Sequence, residues 1–147
     1  MGQNKIVTKE NTSSIAPTIG AVSDSHKKSS KKQVINGVAH ISVSYNNILI
    51  AMSDTKGEII AWSSAGSLGF KGARKSTPYA ANSVAKDVFE KSKKYNLTNI
   101  KVVVKGIGPG RESAIRGLAG TGLNIVSIQD ATPIAHNGVR RPKPRRV

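Results

Sequence analysis

The sequence predicts an α/β fold in which a mixed five-stranded sheet carries two helices, in the order β-β-β-α-β-α-β. Three observations support this prediction. Short segments alternate apolar and polar residues, as half-buried strands do, and two longer segments repeat apolar residues at helical spacing. Strands and helices alternate in the second half of the chain, which favours the crossover connections of a mixed sheet. We expect this domain to span residues 37–130, between flexible basic arms at residues 1–36 and 131–147.

The first three strands are predicted to form an antiparallel meander. Val38–Tyr45 alternates apolar and polar positions, which is the pattern of a half-buried strand. The run Ile48–Met52 is continuously apolar and therefore predicts a more buried strand. Asp54 and Gly57 supply the chemistry of a tight turn, after which Ile59–Trp62 predicts the third strand.

The clearest helix follows this meander. Pro78 suits the first helical turn, and either Ser76 or Thr77 can cap it. Acidic and basic residues four positions apart, at Asp87–Lys91 and Glu90–Lys94, favour the helix by pairing on its surface. Its apolar face is predicted to consist of Ala81, Val84, Ala85, Val88 and Phe89.

The remaining segments predict strand, helix and strand. Residues 100–105 alternate as a fourth strand, Gly106–Gly110 leads into a shorter helix, and Leu123–Ile128 predicts the fifth strand. Gly117 and Gly120 each weaken the shorter helix by about 1 kcal/mol relative to alanine. Close packing of this helix against the sheet would explain both glycines.

The charge of the chain points to a polyanionic partner. The chain has 23 Lys and Arg against 8 Asp and Glu, a formal net charge of +15. Such an excess repels itself in a compact chain unless a polyanion neutralises it. The apolar runs are all shorter than a membrane span, so nucleic acid is favoured over an anionic membrane. The chain has no cysteine, which excludes disulfides and thiolate zinc sites.

The first candidate site is the glycine-rich loop Gly66–Lys75. Glycine lets the backbone approach a ligand closely, and the following helix N-terminus favours phosphate. Lys71, Arg74 and Lys75 have no acidic neighbour in the loop, so phosphate contact is favoured over a merely solvated loop. Phe70 has two interpretations: it stacks on a base, or it anchors the loop in the core.

The second candidate site is the segment Gly106–Glu112. Its glycines lead to a helix N-terminus, but it lacks the Gly-Lys-Ser/Thr of a nucleotide-binding loop, and Arg111 replaces the third glycine of a dinucleotide fingerprint. A nucleotide is therefore disfavoured, whereas Arg111 can contact an RNA phosphate. The alternative is a tight strand-to-helix turn in which Arg111 pairs with Glu112 or faces solvent.

The third and strongest candidate is the C-terminal segment from Pro133 to Val147. Prolines at 133, 142 and 144 disfavour a helix and favour an extended arm that can follow RNA grooves. A disordered solubilising tail is the alternative. Its cations are Arg140, Arg141, Lys143, Arg145 and Arg146.

Candidate catalytic groups are sparse. His40 has no obvious partner, and Asp54, Glu58 and Asp130 fall at strand ends, where acids commonly cap turns. A metal-dependent nuclease of similar fold would need several acids to converge. The sequence therefore predicts a structural RNA-binding protein rather than an enzyme, with no cofactor and no metal. A nuclease and a free-standing RNA chaperone or DNA-compacting protein are the alternatives.

Several motifs occur in the same order as in a known family. They are Gly37–Ile41, Ala61–Gly66, Gly69–Gly72, Arg74–Ala81, Val104–Gly106, Gly108–Ala114 and Asp130–Gly138. Over residues 37–147 the chain resembles the eleventh protein of the small ribosomal subunit, of bacterial or organellar type. Two segments depart from the family pattern. The tail reads Gly138-Val-Arg-Arg-Pro where bacterial members have Gly-Cys-Arg-Pro-Pro, and Ile107 replaces a proline.

The resemblance implies a ribonuclease-H-like sheet without nuclease activity and a structural place on the subunit platform near the exit site. It implies binding to small-subunit rRNA, with the Shine–Dalgarno region of the mRNA nearby and small-subunit proteins seven, eighteen and twenty-one as neighbours. The ribosome would be that of the bacterial cytoplasm, which is favoured, or of an organelle. The implied rRNA contacts are Lys71, Arg74, Lys75, Arg111, His136, Asn137, Arg140, Arg141, Lys143, Arg145 and Arg146.

Asn137 carries a second implication. The family converts the matching asparagine to isoaspartate, and Gly138 is the small, flexible neighbour whose nitrogen can attack the side-chain amide. An ordinary tight turn is the alternative, since Asn36-Gly37 has the same dipeptide outside that motif.

Overall fold

The computed structural model describes residues 33–140 and Pro142. The predictions for residues 1–32, and for Arg141, Lys143, Arg145 and Arg146, lie outside this part of the chain. The first described residues already join the domain: Val34 is buried in the core, and its N–H donates to the Tyr95 carbonyl at 2.9 Å.

Five strands form one mixed sheet in the order β3-β2-β1-β4-β5. β1 and β2, and β2 and β3, pair antiparallel, whereas β4 runs parallel to β1 and β5 runs parallel to β4. The predicted meander and mixed sheet are therefore confirmed. The strands are β1 (Asn36–Val43), β2 (Ile48–Asp54), β3 (Ile59–Ser64), β4 (Asn99–Gly106) and β5 (Asn124–Asp130).

Two α-helices cover one face of this sheet. α1 (Pro78–Ser92) packs on β2 and β3, α2 (Arg111–Ala119) packs on β1, and the two helices pack on each other. Short 3₁₀ turns at Gly72–Ser76 and Lys93–Tyr95 flank α1. The core lies between the helices and the alternate strand residues that face them, including Ile41, Ile50, Met52, Val84, Val102 and Leu118. No helix among the described residues is long and apolar enough to cross a membrane.

Local chemistry sets both ends of α1. Of the two predicted caps, Thr77 acts: its hydroxyl oxygen accepts from the Ala80 N–H at 3.3 Å, directly before Pro78. The predicted pair between Asp87 and Lys91 is present at 2.6 Å. The second predicted pair is not formed, because Lys94 instead lies over the Tyr95 ring, 5.6 Å from its centroid.

Gly117 is explained by packing, although against a different partner from the predicted one. A Cβ at this position would lie 2.9 Å from the Ala85 Cβ and 3.0 Å from the Asn82 Oδ1, both on α1. The glycine therefore lets α2 approach α1 rather than the sheet. A methyl group there would push the two helices apart.

Candidate nucleic-acid interface

The sheet topology brings the two predicted loops and the described start of the C-terminal segment to one edge. β1, β3, β4 and β5 run in the same direction, so their carboxyl ends meet there. This edge, here called the loop edge, carries the turn between β1 and β2, the loops that lead into α1 and α2, and the segment after β5. These loops comprise residues 44–47, 65–77 and 107–110, and the segment comprises residues 131–140.

The loop before α1 presents unpaired positive charge. Gly69 and Gly72 adopt positive φ values of 86° and 56°, and a Cβ at either position would meet nothing within 4 Å. Lys71 and Arg74 are exposed and Lys75 is half-buried. None of these three cations forms an ion pair within the described part of the chain. The loop thus offers open backbone and free cations together, as a phosphate contact requires.

Phe70 anchors this loop. Its half-buried side chain packs against the core, and its ring meets Tyr79 edge to face, with centroids 6.0 Å apart at 77°. Its N–H donates to the Ala65 carbonyl at 3.1 Å and closes the loop. Of the two interpretations that the sequence leaves open, the structure supports anchoring.

The glycines of the loop before α2 are required by close packing. Gly106 has φ 93°, and a Cβ there would lie 2.0 Å from the Val43 carbonyl oxygen. A Cβ at Gly108 would lie 2.8 Å from the Ser44 carbonyl oxygen, and one at Gly110 would lie 2.2 Å from Ile48 Cδ1. These glycines let the backbone press against the turn between β1 and β2. The tight-turn alternative therefore explains this composition without a ligand.

Arg111 closes a ring of hydrogen bonds that joins four parts of the loop edge. Its guanidinium donates to the Gly106 carbonyl at 3.2 Å and pairs with the Asp130 carboxylate. The Thr132 hydroxyl donates to that carboxylate at 2.6 Å and accepts from the Gly106 N–H at 3.2 Å. The partner of Arg111 is thus Asp130 and not Glu112, which pairs with Arg116 at 3.4 Å. The ring fixes the direction in which the chain leaves β5.

This ring predicts a pH dependence of stability. Hydrogen bonds from Arg111, and then from Thr132, lower the pKa of Asp130 from 3.8 to about 2. Because the folded-state pKa is depressed, the contribution of Asp130 to stability is complete above its unfolded pKa. It is lost as the pH falls from about 4 to about 2. Urea titrations measure the unfolding free energy at each pH. We expect this free energy to fall less in the Asp130→Asn variant than in the wild type over that pH range. Equal losses in both proteins would contradict the assignment.

In the segment after β5, residues 133–140 and Pro142 are exposed. Asn137 adopts the left-handed conformation with φ 52°, which asparagine tolerates better than most residues. His136 and Arg140 flank it on the same exposed stretch. The described part of the arm thus begins at the loop edge beside β5 and the loop before α2.

The candidate acids of the nuclease alternative do not converge. Asp54 ends β2, which runs opposite to β5, so Asp54 and Asp130 lie at opposite edges of the sheet. Strand spacing and rise place them roughly 20 Å apart. Glu58 lies beside Asp54, whose N–H donates to the Glu58 carbonyl at 2.9 Å. Among residues 33–140, no group of three His, Asp or Glu side chains is arranged to hold a metal ion.

A comparison with protein families shows to which family the chain belongs. The model of the family described as Ribosomal protein S11 matches residues 37–146, which include every described strand and helix except Asn36. The chain belongs to the Ribosomal protein S11 family. Proteins of the S11 family are structural constituents of the small ribosomal subunit and bind its rRNA. The resemblance found in the sequence is therefore confirmed, and the chain is a protein of the ribosome.

Two features of the S11 chain escaped the sequence analysis. The Arg111–Asp130 pair joins residues 19 positions apart: Arg111 begins the helix after β4, and Asp130 ends β5. The sequence predicts a strand at Trp62 but not which face the side chain takes, because the apolar run Ile59–Trp62 does not alternate. The structure exposes Trp62 on the face opposite to the helices.

Proposed function

We propose that the loop edge and the C-terminal arm together form the principal rRNA-binding surface of this S11 protein. The observation that carries the proposal is the convergence on one edge of the sheet of the three loop cations, Arg111 and the described start of the arm, residues 131–140. Phosphate contacts dominate affinity for nucleic acid, and clustered cations bind a phosphate backbone more strongly than dispersed ones.

The proposed contacts divide into three groups. Lys71, Arg74 and Lys75 form the loop group and carry free charge. Arg111 forms the second: it uses two donors within the ring, and the other N–H groups of its guanidinium remain available to a phosphate. The arm forms the third group, with His136, Asn137, Arg140, Arg141, Lys143, Arg145 and Arg146.

The place of the protein within the subunit forms part of the same proposal. The family resemblance supports a position on the platform near the exit site, with the Shine–Dalgarno region of the mRNA close to the arm. It also supports small-subunit proteins seven, eighteen and twenty-one as neighbours, in a ribosome of the bacterial type. Cosedimentation with small ribosomal subunits and crosslinking of the arm to mRNA test this placement. Sedimentation away from subunits would favour a free-standing RNA chaperone.

The loop group predicts a salt-dependent loss of affinity. Replacing Lys71, Arg74 and Lys75 by glutamine should reduce the slope of log affinity against log salt by about 2–3 for small-subunit rRNA, because each phosphate contact contributes roughly 0.7–0.9. Fluorescence anisotropy of labelled rRNA across a salt series measures the slope. A matched control replaces Lys56, Lys86 and Lys94, which lie on the β2–β3 turn and on the helix layer. An equal loss in the control would refute a specific role for the loop.

Asn137 is proposed as a site of isoaspartate formation. The Gly138 nitrogen attacks the Asn137 side-chain carbonyl and expels ammonia, and water then opens the resulting succinimide ring. Asn36-Gly37 is an internal control, because that pair lies within β1 and is held by the sheet ladder. We expect peptide mass spectrometry of mature subunits to find the amide lost at Asn137 and retained at Asn36. Unmodified asparagine at both positions would contradict the proposal.

A further inference from the structure

The face of the sheet opposite to the helices, here called the open face, is uncovered in the described part of the chain. Alternation along the strands sends to this face the residues that do not contact the helices. They are Val38, His40 and Ser42 of β1, Leu49, Ala51 and Ser53 of β2, Ile59, Trp62 and Ser64 of β3, Lys101, Val103 and Lys105 of β4, and Ser127 and Gln129 of β5.

The open face is divided into an apolar half and a cationic half. On β3 and β2, Trp62 is 56% exposed, Ile59 66% and Leu49 37%. On β4, Lys101 and Lys105 are exposed and project on either side of Val103. β3 and β4 are separated by three strand spacings, about 14 Å, and Trp62 is level with Val103 across the sheet. Lys101 and Lys105, two residues to either side of Val103, therefore lie about 16 Å from the tryptophan.

The charge of the open face has a single sign. Lys101 and Lys105 form no ion pair within the described residues, and no outward-facing strand position carries an acid. The two strand acids, Asp54 and Asp130, are in register with the helix-facing positions Gly37 and Val104. His40 lies between the two halves, with its Nε2 3.1 Å from the Ser53 hydroxyl. Of the serines near it, Ser42 is exposed, whereas Ser53 is buried.

We propose that the open face binds a single-stranded segment of RNA, with a base stacked on Trp62 and the backbone held by Lys101 and Lys105. An exposed indole on one half of the face and unpaired cations on the other suit a polymer whose bases can stack and whose backbone carries phosphates. A duplex does not fit, because its bases are already stacked and paired. Charge complementarity favours an anionic occupant, since the face has two cations and no acid, and the exposed indole favours RNA over an acidic protein strand. The inference rests on the proposed RNA-binding function but uses a surface separate from the loop edge.

Trp62 is the single tryptophan of the chain, so its fluorescence reports directly on this face. The full-length protein is titrated with a fluorescently labelled single-stranded oligoadenylate, and both the anisotropy of the RNA and the emission of Trp62 are followed. Stacking should quench Trp62 emission with the same midpoint as the anisotropy change. A duplex RNA of equal length should bind with little quenching. RNA that saturates the protein and leaves Trp62 emission unchanged overturns the proposal, leaves RNA binding by the loop edge intact, and assigns the open face to a protein partner.

Substitutions separate stacking from general electrostatics. Trp62→Ala should weaken oligoadenylate binding about 5- to 150-fold, the range of stacking contributions, whereas Trp62→Phe should keep most of the affinity. Lys101→Gln with Lys105→Gln should weaken binding more than the matched pair Lys86→Gln with Lys94→Gln on the helix layer. Equal effects of the two lysine pairs, or equal affinities of the alanine and phenylalanine variants, would overturn the assignment. Circular dichroism confirms that each variant is folded.

Discussion

Gly106→Ala should destabilise the domain by about 2–6 kcal/mol, a large part of the roughly 5–15 kcal/mol that holds a domain folded. Two costs combine. The backbone at Gly106 has φ 93°, which an L-residue adopts only with about 1–3 kcal/mol of strain. The added Cβ would also lie 2.0 Å from the Val43 carbonyl oxygen, so β1 and β4 must separate, at about 1–3 kcal/mol more.

Gly69→Ala is the matched control for this substitution. Gly69 has a similar φ of 86°, but a Cβ there would meet nothing within 4 Å. Only the backbone strain remains, which we expect to cost about 1–2 kcal/mol. Urea unfolding followed by circular dichroism measures both variants. Equal destabilisation would show that the close approach to Val43 does not limit the position.

Removing the charge of the C-terminal arm should produce the largest change in RNA affinity. If 6–10 phosphates are engaged, affinity for small-subunit rRNA falls by about 10³–10⁵-fold between 50 and 200 mM salt. Five neutralised cations should lower the slope of log affinity against log salt by about 3.5–4.5. The loss of affinity between 50 and 200 mM salt should then be smaller by about two to three orders of magnitude. The variant replaces by glutamine Arg140, Arg141, Lys143, Arg145 and Arg146.

The control for the arm carries the same loss of charge elsewhere. It replaces by glutamine Lys56, Lys86, Lys93, Lys94 and Arg116. If the arm contacts phosphate, its variant loses slope while the control keeps nearly all of it, since dispersed surface charges away from the interface are screened by salt. An unchanged slope in the arm variant would contradict the proposal that the arm contacts phosphate.

The local structure followed from local chemistry in most elements. Pro78 preceded by a hydroxyl-bearing residue predicted the start of α1, and Thr77 supplies the cap because Ser76 is buried and donates to the Ala73 carbonyl. The Asp87–Lys91 pair formed as its spacing predicted. Glu90–Lys94 did not: an exposed pair contributes little to stability, and Lys94 lies over the Tyr95 ring instead.

The neighbours of the glycines could not be predicted from the sequence. Gly69 and Gly106 look equivalent in the chain, since each stands in a loop before a helix. Positive φ is common to both, but only Gly106 touches another strand. Gly117 was expected to meet the sheet and instead meets α1. A glycine in the sequence indicates either a positive φ or a close approach, and only the fold shows whether a neighbour makes that approach and which one it is.

The sequence by itself determined the order of strands and helices, the position of each cation along the chain, and the family. These depend on periodicity, turn chemistry and motifs, all of which are local properties. Only the tertiary structure decided that the basic segments share one edge, that Arg111 pairs with Asp130, and that Trp62 and Lys101 share an uncovered face. Each of those relations joins residues that are distant in the chain, and strand direction and register bring them together. A local pattern shows that successive side chains of a strand point to opposite faces of the sheet. The packing of α1 and α2 on one face decides which of these side chains remain open to a partner.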